Sequence, residues 1–213
     1  MEKYTNRQEA GQVLAKALQH YAQQKNLLVL ALPRGGVPVA FEIAQALHAP
    51  LDVFIVRKLG VPGHEELAMG ALATGGTTVL NKYIIHEFAI STAALQAVTA
   101  KEQKELTRRE QAYRDDKPFP KLQDKTVILV DDGIATGATM QAAIKALRAL
   151  KAAKIVVAVP VAEANLAEKI STLADEFICP LKPTIFYAVG AWYDDFSQTS
   201  DEEVYDLLKT FKK

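Results

Sequence analysis

Long apolar runs are missing from this chain. No stretch approaches the ~20 consecutive apolar residues that a membrane-crossing helix needs, so no membrane span is expected. Cysteine is nearly absent: Cys179 is the single one in 213 residues, which rules out an intramolecular disulfide framework and fits a reducing cytoplasm. Neither sign of charge is in excess, with 25 Lys+Arg against 25 Asp+Glu. The basic footprint of a dedicated nucleic-acid binder is therefore lacking. Long-period repeats and low-complexity tracts are also lacking, and Met1 leads into a polar, charged segment with no apolar signal region. These absences leave a soluble, cytoplasmic protein as the expectation. At 49% hydrophobic the chain can bury a core, and its length suits one domain with a substantial elaboration.

What the chain does contain is alternation. Residues 6–25 place apolar side chains at helical spacing, with Asn6 and Glu9 in a capping-box pattern. The run Leu27 to Leu32 stops at Pro33 and reads as a buried strand. A turn cluster PRGGVP, a helix over 39–48 and a strand over 51–58 complete a βαβ unit, which builds parallel sheets. Residues 59–76 read as a long loop with one short hairpin, TTVLN as a strand, and 91–114 as a polar helix capped by Ser91. The second half returns to βα alternation, with strands near 128, 156 and 177 and a final helix over 201–213. The fold expected is a doubly wound α/β domain with a mainly parallel sheet of about five strands, an insertion over about 59–120 and a C-terminal hood over about 180–213. In such sheets ligands sit outside the carboxyl ends of the strands. Two Gly-rich turns, 33–36 and 133–139, fall there.

The segment VILVDDGIATGATM, Val127 to Met140, carries the strongest signal. Four apolar residues end in Asp131 and Asp132 at the strand's carboxyl edge. Gly133 and Gly137 permit positive φ, and a tight turn at a helix N-terminus gathers backbone N–H groups at one point, where the helix dipole adds partial positive charge. A phosphate monoester suits this cup, with the Thr136 and Thr139 hydroxyls as further donors. An ordinary helix cap would not require paired acids. Two carboxylates beside an anion cup have a use if they accept hydrogen bonds from two sugar hydroxyls and hold a hydrated Mg²⁺.

This segment closely resembles the signature of the type I phosphoribosyltransferases. The resemblance implies that Asp131 and Asp132 contact the ribose hydroxyls and Mg²⁺. It implies that Gly133, Ala135, Thr136, Gly137, Ala138 and Thr139 surround the 5-phosphate of phosphoribosyl pyrophosphate. In the family the turn after the first strand binds pyrophosphate, which places Arg34, Gly35 and Gly36 there and predicts a strained or cis peptide near Pro33-Arg34-Gly35. Arg57 and Lys58, at the end of the second expected strand, are similar to basic residues that reach the same pyrophosphate. As two charged residues at a strand end they also read as simply solvated. In the family a mobile loop follows, and His64 or Glu65 would then be an acid/base group closing over the transition state.

The segment 183–198 concentrates aromatics, and resembles the hood of the 6-oxopurine enzymes. By that resemblance Phe186 or Tyr187 stacks on the base, Val189 and Trp192 line it, Asp194 accepts an exocyclic amine, and Lys182 donates to a 6-oxo group. The same aromatics also read as the core of a small subdomain. One departure divides the reading: those enzymes carry an acid just before the T-G of the phosphate loop, whereas Ala135 here resembles adenine- and orotate-type members. The resemblance covers about 27–58 and 123–165 well and 183–196 loosely; the insertion is larger than the family needs. It implies a Mg²⁺-dependent transferase that moves a phosphoribosyl group to a nitrogenous base, purine-like by preference as in purine salvage, and releases pyrophosphate. A non-catalytic binder of phosphoribosyl pyrophosphate or nucleotides on the same fold, or a related hydrolase or phosphorylase, are the competing readings. The polar helix and the hood aromatics make a homodimer an expectation.

Overall fold

The computed structural model describes residues 3–115 and 117–211. In chain order its strands are β1 (Leu27–Ala31), β2 (Leu51–Val53), β3 (Val56–Val61), β4 (His64–Ala73), β5 (Thr77–Leu80), β6 (Thr126–Val130), β7 (Lys154–Ala158) and β8 (Glu176–Ile178). The helices are α1 (Arg7–Ala17), α2 (Gly36–Leu47), α3 (Lys82–Glu87), α4 (Thr92–Arg114), α5 (Ala138–Ala149), α6 (Ala164–Ser171) and α7 (Asp201–Lys209).

The expected five-stranded sheet is present, in the order β2-β1-β6-β7-β8, and every pairing in it is parallel. Its central strands β1 and β6 are buried at all five positions, as continuous apolar runs covered on both faces must be. Alternate residues sort to opposite cores. Val29, Ala31, Ile128 and Val130 pack with α1, α2 and α7, while Leu28, Leu30, Val127 and Leu129 pack with α5 and α6. Among the described residues no helix is long and apolar enough to cross a membrane.

Several boundaries differ from expectation. α1 ends at Ala17, and a single 3-10 turn, Gln19–Tyr21, takes the place of its last two turns. The cap at its start is as expected, with Asn6 Oδ1 accepting the Glu9 N–H at 3.0 Å. The reciprocal bond from the Glu9 carboxylate reaches Thr5 N–H, at 2.5 Å, one residue earlier than a capping box places it. The strand expected over 51–58 is two strands: β2 stays in the parallel sheet and β3 leaves it. The loop expected over 59–76 is a long hairpin. β3, β4 and β5 form a separate antiparallel sheet, turning at Pro62 and Gly63, where Gly63 has φ of +78°. This sheet packs between α4 and α5. α4 begins at the expected Ser91 cap and buries only Leu106, Tyr113 and Arg114 of its 23 residues. The last expected helix is α7, from the Ser200 cap to Lys209; Lys212 and Lys213 lie outside the described residues.

The hood is built from both ends of the chain. Tyr4 lies in a parallel bridge with Tyr193. Its N–H donates to Trp192 O and its carbonyl accepts from Asp194 N, both at 2.9 Å. In the sequence alone, residues 3–6 carry no mark beyond a helix start.

Candidate functional site

β1 and β6 are neighbours in register, with Ala31 opposite Val130, so the turns that follow them leave the sheet side by side. The turn after β6 is pinned just past the next strand's end, by Ile134 N–H donating to Val161 O at 2.9 Å. Beyond it the chain passes through Gly137, at φ +73°, into α5. The first bond of that helix is Gln141 N–H to Gly137 O, at 2.9 Å. Among the described residues, the backbone N–H groups of residues 135–140 have no acceptor in the chain, and neither have the exposed Thr136 and Thr139 hydroxyls. Six consecutive unpaired donors at a helix N-terminus form a positive surface, exposed at Ala135, Thr136, Ala138 and Thr139.

The two acids stand at its rim, both half-buried. Asp131 Oδ1 accepts the Asp132 N–H at 2.9 Å, and Asp132 Oδ2 accepts Arg7 Nε at 2.8 Å. The two carboxyl groups are also in hydrogen-bond contact with each other. Burial, then the neighbouring Asp132 charge, pushes the Asp131 carboxyl well above its usual range. Burial raises Asp132 as well, against the lowering effect of Arg7.

The turn after β1 abuts the acids. A Cβ on Gly35 would collide with the Asp132 carboxylate, coming 2.6 Å from Cγ, and one on Gly36 would lie 2.8 Å from Val130 O. These glycines are required by the closeness of the two turns. The Pro33–Arg34 peptide is cis, as expected of this turn. The half-buried Arg34 side chain lies 3.7 Å from Asp201 Oδ1, at the start of α7, and Asp201 also accepts the Tyr113 hydroxyl at 2.5 Å.

Four expected site residues stand elsewhere than the sequence placed them. Arg57 and Lys58 do not end a strand of the parallel sheet; they lie in β3. Arg57 is paired with Glu102 of α4 at 2.6 Å, and Lys58 lies 3.4 Å from Glu66. His64 and Glu65 open β4 at the exposed tip of the hairpin rather than lying in a structureless loop, and His64 rests edge-on to Phe88, 5.8 Å between ring centres. The apolar side chains of β3 and β4 pack against α4 and α5, and this pulls the segment away from the parallel sheet.

The hood reaches the acids through two contacts. The Val189 side chain covers Gly133, where a Cβ would meet Val189 Cγ1 at 2.5 Å, and the Tyr193 hydroxyl donates to Asp132 O at 2.6 Å. Phe186 faces Trp192 almost in parallel, 15° apart with centres at 6.5 Å, and the buried Trp192 Nε1 has no acceptor. Tyr187 is 90% exposed. Asp194 and Lys182 are exposed on the same segment. Arg7 and Tyr4 are the residues that sequence reading missed. Arg7 follows the Asn6 cap as an unremarkable first helical residue, and nothing near it in sequence marks it.

A parallel α/β sheet whose carboxyl edge carries an open amide cup, a pair of acids and a covering hood defines a ligand-binding α/β protein of the open-sheet class. The model of the phosphoribosyl transferase domain matches residues 2–195, and the chain belongs to that family. It is 45% identical over 208 residues to provisionally named phosphoribosyl transferases of Mycobacterium tuberculosis, strains CDC 1551 and H37Rv. The alignment covers 98% of this chain and 47% of each relative, so the chain spans about half the length of the curated relatives it matches. The crystal structure of TT1426 from Thermus thermophilus superposes with a TM-score of 0.88 at 39% identity, covering 98% of this chain and 99% of that one. The AQ2163 protein of Aquifex aeolicus shares the fold, at 10% identity and a TM-score of 0.51 over 95% of this chain and 84% of that one.

Proposed function

We infer that the chain is a phosphoribosyltransferase that takes phosphoribosyl pyrophosphate as donor and a nitrogenous base, purine-like by preference, as acceptor. The observation that carries this reading is the set of six unpartnered amides, 135–140, beside two adjacent carboxyl groups. The amides and the Thr136 and Thr139 hydroxyls supply donors for a dianionic 5-phosphate. Asp131 and Asp132 supply acceptors for the ribose hydroxyls. Arg34 and the Gly35 amide beside it would hold the pyrophosphate, and the parallel Phe186 and Trp192 rings would offer flat faces to a base.

In the reaction the base nitrogen forms a bond to C1 of the ribose as the bond from C1 to the pyrophosphate oxygen breaks, the electron pair leaving with pyrophosphate. Positive charge that develops on the ring is favoured by the carboxylates of Asp131 and Asp132 below it. Orientation by the phosphate cup and the acid pair supplies much of the acceleration. Among the described residues no group of three or more His, Cys, Asp or Glu could hold a metal ion. Two adjacent carboxylates nevertheless fit Mg²⁺, which is commonly held by one or two carboxylates, water and substrate phosphates. When bound, the ion would neutralise charge on the leaving group.

The test is pyrophosphate release from phosphoribosyl pyrophosphate and Mg²⁺ against a panel of purine, pyrimidine and other heterocyclic bases. Release with at least one base is expected, and replacing Asp131 and Asp132 together by Asn should abolish it. The competing reading is a non-catalytic binder of phosphoribosyl pyrophosphate or nucleotides on the same fold. Donor binding without release from any base would establish that reading instead.

A further inference from the structure

Among the described residues, Arg7 is the one basic side chain hydrogen-bonded to the acid pair. It reaches the site because Tyr4 and Thr5 pair with the hood, their carbonyls accepting from Asp194 N and Asp195 N at 2.9 Å. This delivers the first residue of α1 to the carboxyl edge of β6. There the guanidinium is engaged on three sides. Its Nε donates to Asp132 Oδ2 at 2.8 Å, its Nη1 donates to Ser197 O at 2.7 Å, and its plane lies 3.9 Å from the centre of the Phe196 ring. The side chain is only 12% exposed. On its other side the same Asp132 oxygen is walled by Gly35, where no side chain fits. Arg7 and Gly35 therefore close off Oδ2 of Asp132, and the carboxyl of Asp131 is its other close neighbour.

We propose that Arg7 is a positioning residue for sugar recognition: it fixes Asp132 in the rotamer that turns Oδ1 to a ribose hydroxyl, and through Ser197 and Phe196 it locks the hood segment 193–199 to that carboxylate. The proposal rests on the reading of the acid pair as the ribose site. A guanidinium suits the task and an ammonium does not. Only the planar fork can serve a carboxylate and a carbonyl at once while lying flat on an aromatic ring. Arg7 makes no claim on the phosphate cup, whose amides belong to residues 135–140. Its removal should weaken the sugar and spare the phosphate.

This separation gives the experiment. Ribose 5-phosphate and inorganic phosphate are titrated, by ³¹P NMR, into the full chain and into Arg7→Gln, Arg7→Lys and Phe196→Leu. The wild-type protein should bind ribose 5-phosphate more tightly than phosphate. Arg7→Gln should lose about ten- to a hundredfold in affinity for ribose 5-phosphate, the range expected when a charge-assisted hydrogen bond is removed, with phosphate binding unchanged. Arg7→Lys should recover only part of that loss. Phe196→Leu, which keeps both hydrogen-bonding groups, should show a smaller loss of the same selectivity. If Arg7→Gln holds ribose 5-phosphate within about twofold of wild type, below the effect of any one such bond, Arg7 does not aim Asp132. If phosphate binding falls in step with ribose 5-phosphate binding, the residue serves the fold and the proposal is again overturned. If the wild-type protein prefers phosphate to ribose 5-phosphate, the fault lies earlier, in the assignment of the acid pair to ribose, and the proposal falls with it.

Discussion

At Asp131 the burial that shapes the site works against the ionised carboxylate. Desolvation, then the Asp132 charge, holds the folded-state pKa well above the 3.8 of a free side chain. The folded protein thus keeps a proton that the unfolded chain has lost, and stability from this group falls as pH rises from about 3.8 through the folded value. Asp131→Asn removes that cost. The expected outcome is a melting temperature a few degrees higher than wild type at pH 7, with the difference shrinking as the pH is lowered toward 4, followed by calorimetry across that range. A lower melting temperature at pH 7 would contradict it. The acid pair and its turn were legible because they form one contiguous stretch: apolar strand, two acids, glycine, threonines. Arg7 was not legible, since its partners Asp132 and Ser197 lie 125 and 190 residues away and a lone arginine after a helix cap carries no local mark.

The elements of the parallel sheet could be read because each is an apolar run bounded by turn residues. The hairpin of β3 and β4 could not, and its glycines are the reason. Gly60 and Gly70 read as loop formers, yet they sit where strands approach closely. A Cβ on Gly60 would lie 2.8 Å from Glu65 O, and one on Gly70 would lie 2.6 Å from Val79 O. A glycine that makes room for a neighbouring strand looks, in one sequence, like a glycine that bends a chain. The inserted helix α4 returns to the main sheet through Arg114. Its guanidinium is 7% exposed and meets both oxygens of Asp52 at 3.0 Å. Asp52→Ala leaves that charge buried without its carboxylate and should cost about 3 kcal/mol, read as a fall in the urea midpoint at constant m. A loss below about 0.5 kcal/mol would mean that the pair behaves like one exposed to solvent.

Across the whole molecule, the hood joins the two ends of the chain over the carboxyl edge of the sheet. Tyr4 is its fastening. The ring is fully buried, 5.6 Å from Tyr193 between centres, and its hydroxyl donates to Pro160 O at 3.0 Å. Tyr4→Ala should cost about 3–5 kcal/mol. Tyr4→Phe, which loses only the hydroxyl, should cost about 1 kcal/mol. Limited proteolysis gives the second measurement: the segment 186–198 should be cut faster in Tyr4→Ala than in Tyr4→Phe, and equal rates would show that the hood stands without its N-terminal strap.

The strap also fixes an order of events during synthesis. Residues 4–7 leave the ribosome well before their partners, Trp192 through Ser197, and Arg7 must wait across 190 residues for its carbonyl. The central strands can pair well before then, since β1 and β6 need nothing beyond residue 130. A growing chain would therefore carry a formed sheet and an amide cup while the Asp132 carboxylate was still unclamped. The clamp would close in a single later step, when residues 192–197 meet residues 4–7.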